Sequence, residues 1–232
     1  MDSHQINVQT IAEEYIQNGD PLGWPEKVYA NANGDPLYIP WANLAPHPKL
    51  LDWLQNHHRR EEGIKALVIG CGLGDDAEEL ARNGFKVTAF DISPTAIDWC
   101  KKRFVKTPVD YQVVDLFQAP AGWRHSFDLV FEARTLQSLP ASLRPQAMEQ
   151  IARFVGLFGK LVVIARGKNL AEEVQGPPWP LIKSEMLAFK KRGLKEMFLE
   201  EYEDQERNPK RHFYGAYVAI DPRLVEELKR TV

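Results

Sequence analysis

Only two of the 232 residues are cysteines, Cys71 and Cys100, and neither has the spacing of a disulfide framework or a thiolate metal site. A reducing compartment, the cytoplasm, is therefore expected. The six histidines include no i, i+4 pair and no Cys/His cluster, and adjacent His57 and His58 point to different helix faces, so no metal is expected. No apolar run reaches the roughly 20 residues that cross a bilayer, and Met1-Asp2-Ser3-His4-Gln5 carries neither the basic nor the apolar stretch of a leader. Membrane attachment is not expected. A block of Lys and Arg is also missing. With 29 Lys plus Arg against 32 Asp plus Glu, a net charge of −3, the chain lacks the electrostatic footprint of a nucleic-acid binder.

What is present is a globular composition, 44% hydrophobic and 26% charged, in a chain long enough to bury roughly 70% of its unfolded surface around one core. Val8, Ile11, Ala12, Tyr15 and Ile16 recur at helical spacing and stop at Asn18-Gly19. Residues 19–48 hold six prolines, which should break any regular element, yet also Trp24, Tyr29, Tyr38 and Trp41. That is too aromatic for a disordered linker and implies an ordered cover. A helix marked by Leu50, Leu51 and Leu54 follows. One domain is expected, with residues 1–60 as helical and aromatic cover, 64–166 as core, and 167–232 as lid loop, helix and closing hairpin.

From Lys65 onward, short apolar runs alternate with amphipathic helices, the pattern of a parallel sheet covered on both faces. The strand candidates are Ala66 to Ile69, Val87 to Phe90, Tyr111 to Val114, Leu129 to Phe131 and Leu161 to Ala165. The helix faces between them carry Ala77, Leu80 and Ala81, then Ile97, Cys100 and Phe104, then Leu143, Ala147, Met148, Ile151 and Val155. In the tail, a short helix runs from Ser184 as N-cap to Gly193 as the residue past its C-terminus. Two strand-like runs, Leu194 to Glu201 and His212 to Ile220, flank a charged turn with Asn208-Pro209. The expected fold is thus α/β: a Rossmann-like, mostly parallel sheet with helices on both faces and an antiparallel C-terminal hairpin.

The most informative segment is Ala66-Leu67-Val68-Ile69-Gly70-Cys71-Gly72-Leu73-Gly74-Asp75-Asp76, an apolar strand entering a glycine turn and then a helix. Glycines permit positive φ and close ligand approach, and the helix start offers unpaired N–H groups. A tight turn without ligand would read the same way. Successive strands, however, end in acids: Asp91, Asp115 and Glu132, off the carboxyl ends where open α/β sheets bind ligands. Asp91 follows Gly70 by about 20 residues, the spacing of a carboxylate that accepts both ribose hydroxyls. The third glycine comes one residue earlier than in a dinucleotide fingerprint. Asp75-Asp76 at the helix start should repel a pyrophosphate, which points from NAD toward a sulfonium nucleoside.

These residues resemble the class I S-adenosylmethionine-dependent methyltransferases over residues 64–166. The resemblance implies seven strands, S-adenosylmethionine as cofactor, and methyl transfer as activity. It places Gly70, Cys71 and Gly72 against the methionine part, Asp91 on the ribose, Ile92 beside the adenine, and Asp115 on the adenine amino group with Leu116 next to it. Trp41, Gly74, Glu132 and Ala133 complete the cofactor set. Pro40-Trp41 and Gly176-Pro177-Pro178-Trp179-Pro180-Leu181 look like features of the thiopurine and thiol or halide methyltransferases. Two other classes stay open, an NAD-dependent oxidoreductase and a non-catalytic nucleoside-binding module.

The acceptor should approach after the fourth strand, where Arg134 and Gln137 are the catalytic candidates, with Trp41, Arg134 and Trp179 walling the acceptor. Each aromatic has an alternative as loop packing, and Arg134 and Gln137 have one as exposed polar loop residues. Two ordered covers imply a small-molecule acceptor. No histidine is expected near a strand end, so no indispensable general base is expected either. Monomer and dimer both remain open.

Overall fold

The computed structural model describes residues 7–57, 63–204 and 208–220. The N-terminal part contains helices α1 (Val8–Gln17), α2 (Trp24–Asn31) and α3 (Pro48–His57). Then come β1 (Lys65–Ile69), α4 (Asp75–Arg82), β2 (Lys86–Asp91), α5 (Pro94–Arg103), β3 (Asp110–Val113), β4 (Phe127–Ala133), α6 (Arg144–Phe154) and β5 (Val155–Arg166). The tail supplies α7 (Lys183–Leu187), β6 (Leu194–Glu203) and β7 (Arg211–Ala219). The seven strands form one sheet in the order β3-β2-β1-β4-β5-β7-β6. The first five are parallel; β7 runs antiparallel to both β5 and β6.

Strand alternation divides the core between two faces. Leu67 and Ile69 of β1, with Leu161 and Val163 of β5, pack against Met148 and Ile151 of α6 and Met186 of α7. Their neighbours Ala66 and Val68, with Val162 and Ile164, pack against α3, α4 and α5 through Leu50, Trp53, Leu80 and Ile97. A third cluster joins Ala12, Trp24, Val28, Tyr29 and Ile39 of the N-terminal segment to Leu73 and Ala96. Consecutive numbering reverses beside β1, whose neighbours are β2 and β4. This switch point opens a crevice at the carboxyl ends of the strands.

Three local expectations are corrected. Residues 19–48 do contain a regular element, α2, because Pro25 lies in its first turn, where a missing N–H is harmless. Pro36 likewise opens a short 3₁₀ turn and Pro48 opens α3. Val155, assigned to a helix face, is the first residue of β5. The tail helix is capped at Ile182 rather than Ser184: Glu185 accepts the Ile182 N–H through Oε2 at 2.8 Å. Gly193 is the left-handed residue that ends the following 3₁₀ turn, at φ +83°. His58 and part of the β6–β7 turn lie outside the described residues.

Candidate active site

The apolar run of β1 delivers the chain to the crevice, and two glycines make the turn there. Gly70 and Gly72 hold φ of +58° and +54°. A Cβ on Gly70 would collide with Thr135 Oγ1, and one on Gly72 would meet Tyr29 Oη at 3.2 Å. The loop is tied down by Cys71 N donating to Phe90 O (2.9 Å) and Gly74 N donating to Cys71 O (2.9 Å).

Asp91, at the end of β2, is 6% exposed. Its Oδ2 accepts the Gly72 N–H and its Oδ1 the Ser93 N–H, each at 3.0 Å. Burial outweighs these bonds and pushes its carboxyl up to about 6. Asp115 accepts the Phe117 N–H (2.9 Å) and the Gln118 side-chain amide (2.8 Å). Glu132 is fully buried. One oxygen takes the N–H groups of Thr135 (2.6 Å) and Leu136 (2.9 Å), and the other has no partner among the described residues. Burial raises its carboxyl to about 7.

Over these strand ends lies a cavity of about 600 Å³. Gly70, Gly72, Asp91, Ile92, Asp115 and Leu116 line it on the β1–β3 side. Ala133, Arg134, Thr135 and Gln137 follow at β4, then Arg166 at β5 and His212 at β7. Trp24, Tyr29 and Trp41 roof it, with Trp41 Nε1 donating to Tyr29 Oη at 2.8 Å. Glu26 clamps α2 to the start of α5, accepting from Ser93 Oγ (2.5 Å), Thr95 Oγ1 (2.6 Å) and Thr95 N (3.1 Å).

A family model described as a methyltransferase domain matches residues 66–156. The chain is 27% identical over 169 residues to a probable thiol methyltransferase 2 of Arabidopsis thaliana, covering 70% of this chain and 69% of that protein. It is 26% identical over 190 residues to a thiopurine S-methyltransferase of Vibrio cholerae, covering 72% and 79%. The crystal structure of the N-methyltransferase NodS of Bradyrhizobium japonicum with S-adenosyl-L-homocysteine superposes with a TM-score of 0.62 at 18% identity, covering 93% of this chain and all of that one.

The chain is a class I S-adenosylmethionine-dependent methyltransferase. Its cofactor is S-adenosylmethionine. The crevice suits such a ligand: two side-chain-free positions leave room against the backbone, and a buried carboxylate keeps lone pairs for hydroxyl donors.

Within this methyltransferase the expected site residues do not all reach the cavity. Cys71 and Gly74 belong to the loop but do not line it. The Cys71 thiol packs beneath the loop, where burial and neighbouring Cys100 push its pKa up. Glu132 lies behind the wall, holding the turn that carries Thr135. Trp179 does not line the cavity either. Its ring covers Gly176, its N–H donates to Gln137 O (2.7 Å) and its carbonyl accepts from Arg144 (2.6 Å); Pro177 and Pro178 form the wall instead. The acids at the helix start also have protein partners. Asp75 pairs with Arg103 at 2.8 Å, and Asp76 accepts the His47 N–H at 2.6 Å. Their like-charge argument against a pyrophosphate therefore carries little weight.

On the β4–β7 side, Arg134 sits at φ +75° and donates from Nη1 to Trp41 O at 3.3 Å. Gln137 Oε1 accepts the Arg166 N–H at 2.6 Å, tying the post-β4 turn to the end of β5. His212 overturns the expectation that no histidine stands near a strand end. Because β7 is antiparallel, its start lies beside the carboxyl end of β5, and His212 pairs with Arg166. Arg166, His212 and Tyr29 were legible only as a strand end, a hairpin start and an aromatic cover. Among the described residues no group of three His, Cys, Asp or Glu could hold a metal, and no helix is long and apolar enough to cross a membrane.

Proposed function

We propose that this methyltransferase transfers its methyl group to a small-molecule acceptor by in-line displacement within the single cavity described above. The observation that carries the reading is the order of groups across the sheet: Asp115, Asp91 and Gly70, then Arg134, Arg166 and His212. Strands about 4.8 Å apart spread this series over roughly 24 Å, enough for a nucleoside and a second small molecule side by side. Asp91 would hold the ribose hydroxyls, Asp115 the adenine amino group with Ile92 and Leu116 beside the ring, and Gly70 and Gly72 would admit the methionine portion. Ala133 and Thr135 line the cavity at the end of β4, and Arg134 and Gln137 would meet the acceptor there. Tyr29 and Trp41 exclude water. In such a displacement the sulfonium charge disperses as the nucleophile arrives, so positioning and a dry cavity supply much of the rate. A cover clamped by Glu26 favours an acceptor of metabolite size, and free Cys71 and Cys100 suit a reducing compartment.

The test is incubation with methyl-labelled S-adenosylmethionine and a panel of thiols, phenols, halides, thiopurines and amines. Label should enter one small-acceptor class. Label found only in RNA or protein contradicts the reading.

A further inference from the structure

His212 lines the cavity with one ring nitrogen held and the other unused. Its Nδ1 lies 2.8 Å from the Lys210 carbonyl, which can only accept, so Nδ1 carries the proton and Nε2 bears the lone pair. Among the described residues nothing hydrogen-bonds Nε2. The imidazole is buried, lines the cavity, and is stacked by Tyr202 at 5.3 Å with an interplanar angle of 22°. Asp204 Oδ2 stands 3.7 Å from Nδ1, placed to steady an imidazolium. Two guanidinium-bearing residues share this end of the cavity. Neither Arg134 nor Arg166 has a carboxylate within 4 Å among the described residues, whereas Arg103 and Arg144 elsewhere are paired at 2.8 and 2.9 Å.

Resting on the functional reading above, we propose that the acceptor is a weakly acidic thiol or phenol, that His212 Nε2 removes its proton, and that Arg134 and Arg166 hold the resulting anion. The acceptor's S–H or O–H proton passes to Nε2 while its lone pair bonds to the methyl carbon. The bond from that carbon to the sulfonium sulfur breaks, and its electron pair stays on sulfur. The proton then leaves the imidazolium for water. The surroundings keep the base in working form: burial lowers the imidazole pKa, as do Arg166 from β5 and Arg134 after β4. The Lys210 carbonyl and Asp204 oppose this, and Tyr202 and His47 complete the titratable groups facing it. The imidazole is thus neutral at neutral pH, and the two arginines favour an ionised acceptor beside it.

The experiment compares wild type, His212→Gln and Arg166→Gln. Imidazole resonances of histidine-labelled protein should show His212 titrating below pH 6.5 in wild type and at higher pH in Arg166→Gln. S-adenosylhomocysteine should bind all three within about twofold. With a thiol or phenol acceptor, His212→Gln should lower kcat by about 10²- to 10⁴-fold at pH 7 and recover most of the loss where the acceptor ionises in solution, near pH 10. A kcat within threefold of wild type at pH 7, or a loss unchanged at pH 10, overturns the proposal. Transfer to amines or halides but to no thiol or phenol overturns it and leaves the functional reading standing. Transfer to no small acceptor at all overturns both.

Discussion

The two halves of the cavity are built on opposite terms. On the β1–β3 side the acids are already engaged by the chain: Asp91 by the Gly72 and Ser93 N–H groups, Asp115 by Phe117 and Gln118. On the β4–β7 side the charged groups are less fully met: Arg134 donates to a single carbonyl, Arg166 has no ion-pair partner among the described residues, and His212, held through Nδ1 by the Lys210 carbonyl, keeps Nε2 free. A pre-satisfied half presents a fixed template whatever the second substrate. An unsatisfied half leaves its electrostatic demand for the acceptor to meet, and so carries the specificity.

The largest effect is expected at Asp91. Asp91→Ala should weaken S-adenosylhomocysteine binding by about 2 to 4 kcal/mol in calorimetry, because charge-assisted bonds to two hydroxyls are lost. Asp91→Asn, which keeps an acceptor for the Gly72 N–H, separates that loss from loosening of the loop.

Glu132, at the seam, gives the next largest effect. Its carboxyl is near 4.5 when unfolded and about 7 in the fold. Below pH 4.5 both states hold the proton. Between 4.5 and 7 only the fold holds it, so stability falls as pH rises through that window, by up to about 3 kcal/mol. Urea unfolding of wild type should show the fall, and Glu132→Gln should not.

On the acceptor side, Arg134→Ala should raise acceptor KM by about 10- to 100-fold and change kcat less, since it removes one charged contact to a bound anion. Initial-rate kinetics decide this. The cofactor half should in turn respond to pH. With Asp91 near 6, the ionised carboxylate is about 10% populated at pH 5, so cofactor affinity should improve about tenfold from pH 5 to pH 7. The smallest effect belongs to Trp179→Phe, which should shift acceptor KM by less than about twofold because the ring packs on Gly176 outside the cavity.

The same asymmetry governs what the sequence reveals. The cofactor half is carried by one local segment and by strand-end acids, and short apolar runs with a glycine turn mark all of these. The acceptor half is assembled by topology. Arg166 and His212 meet only because β7 inserts antiparallel between β5 and β6, a pairing that no local pattern encodes. Trp179 misleads for a related reason: a rigid Pro-Trp-Pro suggests a wall, but its backbone donates to Gln137 O and accepts from Arg144, and its ring packs over Gly176 outside the cavity. The prolines of residues 19–48 hid α2 because, one by one, they break helices, yet at a helix start they fit.

The division itself is tested most directly by calorimetric titration of S-adenosylhomocysteine into Asp91→Asn and Arg166→Gln side by side. A clear loss of affinity is expected in the first and a value within about twofold of wild type in the second. Equal weakening in both would show that the arginine end belongs to the cofactor site and that the cavity is not divided.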